Sequence, residues 1–467
     1  MASPAVGDWR GAGGLSGSVI FTDNLFLSSE DTEAGGVIRM RPFISSSRSG
    51  NRVRTRFDYG PSVLFYPGHS ELNDVQHTLQ ASLNMEVIER YFFLDMRATA
   101  NQALIDPRVN SRFDAIGGND AFAQQASVAI TPRVELPVLD GRFATVRISP
   151  GVGSTWTAST GDTNDGLRTG TQDSSVQVVS GPMFTTVPWS VNWRRRVFDT
   201  DDGEGFGSFD TRIGYILSPK YRLDLILGYD DGRGTFRAAD GGTSGGRWET
   251  RFLWTPVPRA QFELGVGERF FGDVYRFNGR YQHKRWAFRS SYEVSIENVA
   301  TVLQREQVVP VEDLFGNEIA SPFLDGDVAF VTVTTPALVE ETFLNHRFEF
   351  LSQYQKGRNS ASLRWFLTDR DYSESDRDTL DNQLQFTYSR RLSGRLSGNA
   401  VVNLWHHRED ADSRFDYTQD ALDLGLSYQL GRRTRVGARI GRLNRDGDAP
   451  GLSFSENRFT MDFNFRL

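Results

Sequence analysis

The side chains with the plainest chemical repertoire are histidines beside carboxylates, and they are densest at His406-His407-Arg408-Glu409-Asp410-Ala411-Asp412. In composition the run resembles a metal-ligand set, since imidazole and carboxylate both bind zinc. Its spacing favours a solvated acidic loop, because adjacent histidines on a strand point to opposite faces. Asp371, Glu374, Asp376 and Asp378 could hold divalent cations that bridge lipopolysaccharide phosphates, with ordinary surface charge as the simpler reading. His69, His77, His283 and His346 are scattered, and no nucleophile elbow, phosphate loop or HExxH motif occurs. The expectation is a chain that is no enzyme and carries no metal and no cofactor.

The remaining candidates are charges embedded in alternating segments: Arg222, Asp224, Arg276, Arg280, Arg289, Glu293, Arg347, Glu349, Arg364, Asp423, Arg439, Asp462 and Arg466. Charge facing lipid is costly, so these groups are expected to line a wet interior. An arginine-rich wall would attract anionic solutes or carboxylated sugars. Equally, the charges could bridge across strands and merely stiffen the wall.

The elements that would position them are strands. Tyr221, Leu223, Leu225, Leu227 and Tyr229 alternate with Arg222, Asp224, Ile226 and Gly228, and Leu422, Leu424, Leu426, Tyr428 and Leu430 oppose Asp423, Gly425, Ser427 and Gln429. The closing segment sets Phe459, Met461, Phe463, Phe465 and Leu467 on one face and Thr460, Asp462, Asn464 and Arg466 on the other. Period two gives each strand an oily side and a wet side. The chain stops there with nothing following to cover the oily side, and lipid is the natural cover. A soluble sandwich also alternates, but these segments run longer than its usual strands and fill nearly the whole chain.

Composition agrees. The 467 residues include no Cys, 45 Gly and 12% aromatics, and the mean hydropathy is -0.43. No apolar stretch approaches the roughly 18 residues of a membrane helix, a test that barrels evade because half of each strand is polar. A net charge of -7 argues against a nucleic-acid partner. Met1-Ala2-Ser3-Pro4-Ala5-Val6 lacks a charged and then apolar export signal, so a mature or trimmed form is expected.

Short, Arg/Lys-rich turns such as Gln355-Lys356-Gly357-Arg358 exchange with longer acidic or Gly-rich loops such as 103–121 and 199–205. This rhythm predicts one all-β domain over 1–467, a transmembrane antiparallel up-and-down outer-membrane barrel of about 22 strands, with a tolerance of roughly 18 to 24. An even count puts both termini in the periplasm. Trp189, Trp254 and Trp286 beside short turns, with Trp248 and Trp405 near long loops, are expected to form two aromatic girdles. So wide a lumen needs filling, yet only a short lead precedes the first strand, so no N-terminal plug domain is expected. The long segment 299–341 is the expected substitute, with gate candidates Val308, Leu314, Phe315, Phe323 and Phe330. It could fold inward as a constriction, cap the mouth, or extend its flanking strands.

Two runs carry a resemblance. Thr22-Asp23-Asn24-Leu25-Phe26-Leu27-Ser28, and Arg90-Tyr91-Phe92-Phe93-Leu94-Asp95-Met96-Arg97-Ala98 with Ala100-Asn101-Gln102 and Ile105-Asp106, are similar to the outer-membrane, porin-type β-barrels associated with PEP-CTERM and exopolysaccharide systems. The resemblance covers about the first hundred residues and supplies no functional residues. It implies an outer-membrane conduit for exopolysaccharide in a Gram-negative bacterium, gated by a loop or by a periplasmic polysaccharide-export protein. Other implied partners are membrane lipid, lipopolysaccharide and the barrel-assembly machinery. The alternatives are a structural or docking barrel with a closed lumen, and a general diffusion porin.

Overall fold

The computed structural model describes residues 9–104, 108–113, 116, 122–158, 168–199, 205–232, 242–298, 302, 314–315, 342–372, 375 and 377–467. Nearly all of them are strand. The first eleven are β1 (Trp9–Thr22), β2 (Gly35–Ser49), β3 (Val53–Phe65), β4 (Asp74–Ile88), β5 (Phe92–Leu104), β6 (Phe122–Val138), β7 (Ala144–Thr157), β8 (Arg168–Ser180), β9 (Trp189–Phe198), β10 (Gly205–Ser218) and β11 (Tyr221–Asp231). They continue as β12 (Ser244–Val257), β13 (Ala260–Arg269), β14 (Gly272–His283), β15 (Trp286–Asn298), β16 (Thr342–Lys356) and β17 (Asn359–Tyr372). The last five are β18 (Thr379–Arg391), β19 (Leu396–Glu409), β20 (Tyr417–Gln429), β21 (Thr434–Gly447) and β22 (Phe454–Arg466).

Each strand pairs antiparallel with its neighbours in sequence, and β1 pairs with β22 from Gly14 opposite Arg466 to Thr22 opposite Arg458. The 22-stranded sheet is therefore closed, and closure leaves no strand edge unpaired. β1 begins and β22 ends at the end with the short turns.

Local chemistry builds those turns. Lys356 pairs with Asn359 across Gly357-Arg358, where Gly357 has φ +60. His283 pairs with Trp286 across Lys284-Arg285, with Lys284 at φ 47. Two-residue loops that pass through the left-handed region match the right-handed twist of the strands they join.

Burial is inverted relative to a water-soluble protein. Leu225, Leu264, Leu424 and Met461 are exposed on the outer surface, whereas Asp224, Asp230, Gln419 and Glu456 are buried on the inner one. An apolar belt running round a closed barrel is the surface a bilayer covers. Trp248, Trp254 and Trp286 belong to it. Trp405 does not, which corrects its expected place in a girdle. It is 2% exposed inside the barrel, where its indole N–H donates to Asp381 at 3.1 Å. It shares the inward parity of His407 and Glu409, so the strand's register carries it away from lipid.

Candidate functional site

The most elaborate arrangement of side chains lies at the long-loop mouth. From the connection between β5 and β6, residues 108–113 and 116 seat against the inner wall of the barrel. Arg112, 4% exposed in its side chain, donates from Nε to both oxygens of Glu456 (3.1 and 2.9 Å). Its Nη1 reaches the carbonyl of Ile116 (3.0 Å), and its Nη2 those of Asn24 (2.8 Å) and Leu25 (3.0 Å). Arg108 forms a two-pronged pair with Glu409 and lies over the Phe415 ring. From the wall, Arg445 donates to Val109 O (3.0 Å) and Ser111 Oγ (3.1 Å), and Gln419 Nε2 donates to Ser111 O (3.2 Å). Apolar contacts complete the seat. Ile116 joins Ile20, Leu25, Val37, Leu64 and Tyr66, while Phe113 packs against Trp405 and beside Leu27, Ala421, Leu443 and Phe454.

Thr22-Asp23-Asn24 forms the receiver for this latch. Thr22 Oγ1 donates to Glu456 Oε1 (2.6 Å), the carboxylate that holds Arg112. Asp23 accepts from the backbone and side-chain nitrogens of Asn457 (2.7 and 2.8 Å), and Asn24 Nδ2 donates to Ser28 O (2.8 Å) and Ser455 O (3.0 Å). These bonds clamp the β1–β22 seam at its outer end. Sequence reasoning treats 103–121 as one polar loop among several. The available signal is Arg108 and Arg112 interleaved with Val109, Phe113 and Ile116, an apolar content that needs a seat.

The expected lumen charges divide by wall. Along β10–β15 Arg222, Asp224, Arg276 and Glu293 are held in ion pairs. Asp224 lies between Arg222 (2.7 Å) and Arg212, and Arg276 reaches Glu249 (3.3 Å) and Glu293 (3.7 Å). Arg280 and Arg289 are register partners and are exposed. Arg347 and Arg364 lie 5.5 and 5.8 Å from the Phe366 ring, which pairs in register with Glu349. On the β20–β22 wall, Arg439 meets Asp462 at 3.3 Å, Asp423 is half-buried and Arg466 is exposed near the short-turn end.

In segment 299–341, Val308, Phe323 and Phe330 lie outside the described residues. Leu314 and Phe315 are half-buried, and the Leu314 amide donates to Gln353 Oε1 at 2.9 Å. Gln353 sits three residues from the short-turn end of β16, opposite buried Ala287, so Leu314 lies deep in the lumen. Val302 packs with Ala103 and Phe343, which belong to β5 and β16. In the last strand Met461, Phe463 and Leu467 are exposed, and Phe459 and Phe465 on the same face are half-buried.

His406 and His407 point to opposite faces. His406 meets Thr418, while buried His407 meets Asp381 Oδ1 at 2.7 Å, beside Arg370 on the other oxygen at 2.7 Å. The reading of this run as wholly solvated is thus corrected for His407 and Glu409, both buried by the inward register of β19. Among the described residues no group of three or more potential ligands could hold a metal ion. In the following loop, a hydrogen bond from Arg414 (2.6 Å) holds the Asp412 carboxyl below the usual carboxylate range.

No protein-family profile matches the chain, and no curated protein matches it in sequence. Solved structures do match in fold. The FrpB iron transporter from Neisseria meningitidis (F5-1 variant) is 10% identical over 98% of this chain and 82% of its own, with a TM-score of 0.51. The siderophore receptor PirA from Pseudomonas aeruginosa is 12% identical over 97% and 80%, with a TM-score of 0.46. OmpT of Vibrio cholerae, lacking loop L8, is 9% identical over 99% and 100%, with a TM-score of 0.36. The expected class, an up-and-down barrel of about 22 strands without an N-terminal plug domain, is corrected here on the plug. The chain shares its fold with the FrpB iron transporter, and outer-membrane transporters with 22 strands, the number counted here, have a plugged lumen. A short lead before β1 is no ground for denying a plug, and the described residues are the closed barrel. The chain is an outer-membrane-like β-barrel with the fold of outer-membrane proteins of Gram-negative bacteria.

Proposed function

We propose that the chain is an outer-membrane conduit for export of an extracellular polysaccharide, closed at its long-loop mouth by the β5–β6 latch. The observation that carries this reading is the latch itself. A loop hung on two ion pairs and a set of apolar contacts can release as a unit, while the 22-stranded wall stays intact. The lumen wall over β4–β9 suits sugars, because hydroxyl and amide side chains pair across it, as in Thr99 with Ser127 (2.7 Å) and Gln177 with Asn192 (2.9 Å). Such groups exchange hydrogen bonds with sugar hydroxyls without trapping them. The short-turn end faces the periplasm in this account, where an export protein would dock. Polysaccharide as cargo rests on the resemblance of the first hundred residues.

Deleting the gene in its native host tests the proposal. The expected result is loss of surface polysaccharide with polymer retained in the envelope, and unchanged surface polymer would refute it. The second reading, a sealed docking barrel, is favoured by the depth at which Arg112 and Glu456 are buried. It predicts that releasing the latch opens no path.

A further inference from the structure

A recess lies below the latch, in the lumen wall shared by β1, β2 and β19–β22. Its lining includes Arg39, Arg41, Arg435 and Arg439 and a single carboxylate, Asp462. Two glycines hollow it out. A Cβ on Gly425 would sit 2.4 Å from Asn399 Oδ1, and one on Gly437 would sit 3.2 Å from the Leu426 carbonyl. The recess has about 60 Å3 of free volume, several times the roughly 10–15 Å3 that one water needs by such a measure. That is room for one anionic group, with the rest of its molecule lying in the lumen.

The four guanidinium groups are pre-aimed. Arg41 is 7% exposed and donates from Nε to Ser62 Oγ at 2.8 Å, and Arg39 Nε donates to Ser18 Oγ at 3.1 Å. Arg435 reaches Gln429 (3.4 Å), and Arg439 reaches Asp462 (3.3 Å). Asp423, beside Gly441, is the adjacent carboxylate, and counting it still leaves cations in excess. Charges of one sign gathered on a low-dielectric wall repel each other and concentrate counter-ions. Arginine's forked donors fit a carboxylate or phosphate in two-pronged fashion.

We infer that this recess is an anion-binding site whose ligand is a carboxylate carried on a sugar, so the cargo is an acidic, uronate-bearing polysaccharide. The identification as cargo rests on the conduit reading, whereas the binding site does not. From the short-turn end, a chain entering the lumen would meet this collar before reaching the latch. Each uronate would be held briefly and passed on, while the hydroxyl and amide groups of the β4–β9 wall accommodate the intervening sugars.

The test uses the full chain in detergent and isothermal titration with an oligogalacturonate, against a neutral maltooligosaccharide of equal length. Wild type is expected to bind the uronate and not the neutral sugar, and to lose affinity steeply with added salt. The Arg41→Gln/Arg439→Gln variant is expected to bind at least tenfold more weakly, and Arg289→Gln, which changes a lumen cation outside the recess, to bind as wild type. Heat-modifiable gel mobility establishes that each variant is folded. If wild type binds both sugars equally or neither, the proposal fails without reference to any variant. It fails equally if Arg289→Gln weakens binding as much as the recess variant. Uronate binding combined with normal surface polymer in the deletion strain would keep the site and overturn its role in export.

Discussion

Arg112→Ala is the most informative single perturbation. The guanidinium it removes is 4% exposed and faces a carboxylate 2% exposed, and it donates to three backbone carbonyls besides. An exposed pair would contribute only about 0–1 kcal/mol. Removing one partner of a buried pair costs about 3–5 kcal/mol, because the other charge is left in place without its counter-charge. A released loop lets water reach Glu456, so this penalty falls on the latched state alone. At about 1.4 kcal/mol per tenfold, the balance between latched and released forms shifts by roughly two to three and a half powers of ten. Single-channel recording in planar bilayers reads that shift as open probability. Wild type is expected to be closed nearly all the time and Arg112→Ala to open often. Cells carrying the variant should also become sensitive to vancomycin. In the Arg112→Ala/Glu456→Ala double variant, the second change should add little, because both groups serve one contact. An Arg112→Ala barrel with normal heat-modifiable mobility and wild-type open probability would refute the reasoning.

Other outcomes follow from the same geometry. Leu424→Arg places charge on the exposed face of β20 and is expected to lower stability by about 2–4 kcal/mol if at mid-membrane, read as the denaturant midpoint of refolding into vesicles. Asp381→Asn removes a carboxylate charge bonded to Arg370, 2% exposed in its side chain, whereas Asp224→Asn removes one bonded to Arg222 and Arg212, at 28% and 29% and open to lumen water. Guanidinium midpoints should therefore fall more for Asp381→Asn than for Asp224→Asn, and the reverse order would show that the lumen near Asp224 is dry. Shortening Val308–Val333 is expected to leave the barrel folded and raise its ion conductance, and unchanged conductance would assign the gate to the β5–β6 latch alone.

Some of this is legible in sequence and some is not, for physical reasons. The alternation of Tyr221–Tyr229 reads directly as two faces, and the structure sets Leu223, Leu225 and Leu227 outward and Asp224 inward along β11. Period two maps one residue to one face, so a local pattern suffices. The latch is a different matter. Glu456 stands 434 residues from Thr22 and 344 from Arg112, and no local pattern announces a contact made only when the sheet closes. The Thr22-Asp23-Asn24 run is recognisable as a motif, but its use as clamp and receiver depends on β22. Trp405 misleads because aromatics near strand ends usually mark the membrane boundary. Its shared parity with His407 and Glu409 is the better guide. The recess is hidden for a similar reason, since its arginines come from one strand near the start of the chain, β2, and one near its end, β21.

The central claim is that the β5–β6 latch stops a polysaccharide path, and a reversible lock tests it most directly. The chain has no cysteine, so Arg108→Cys and Glu409→Cys, added to the Arg112→Ala barrel, supply the only two thiols. A short bis-methanethiosulfonate reagent would tie the loop to the wall, and reduction would free it in the same vesicles. Efflux of a fluorescent oligogalacturonate from proteoliposomes should be blocked while the lock is on and begin when it is reduced. Efflux at the same rate in both states, or in neither, would contradict the account.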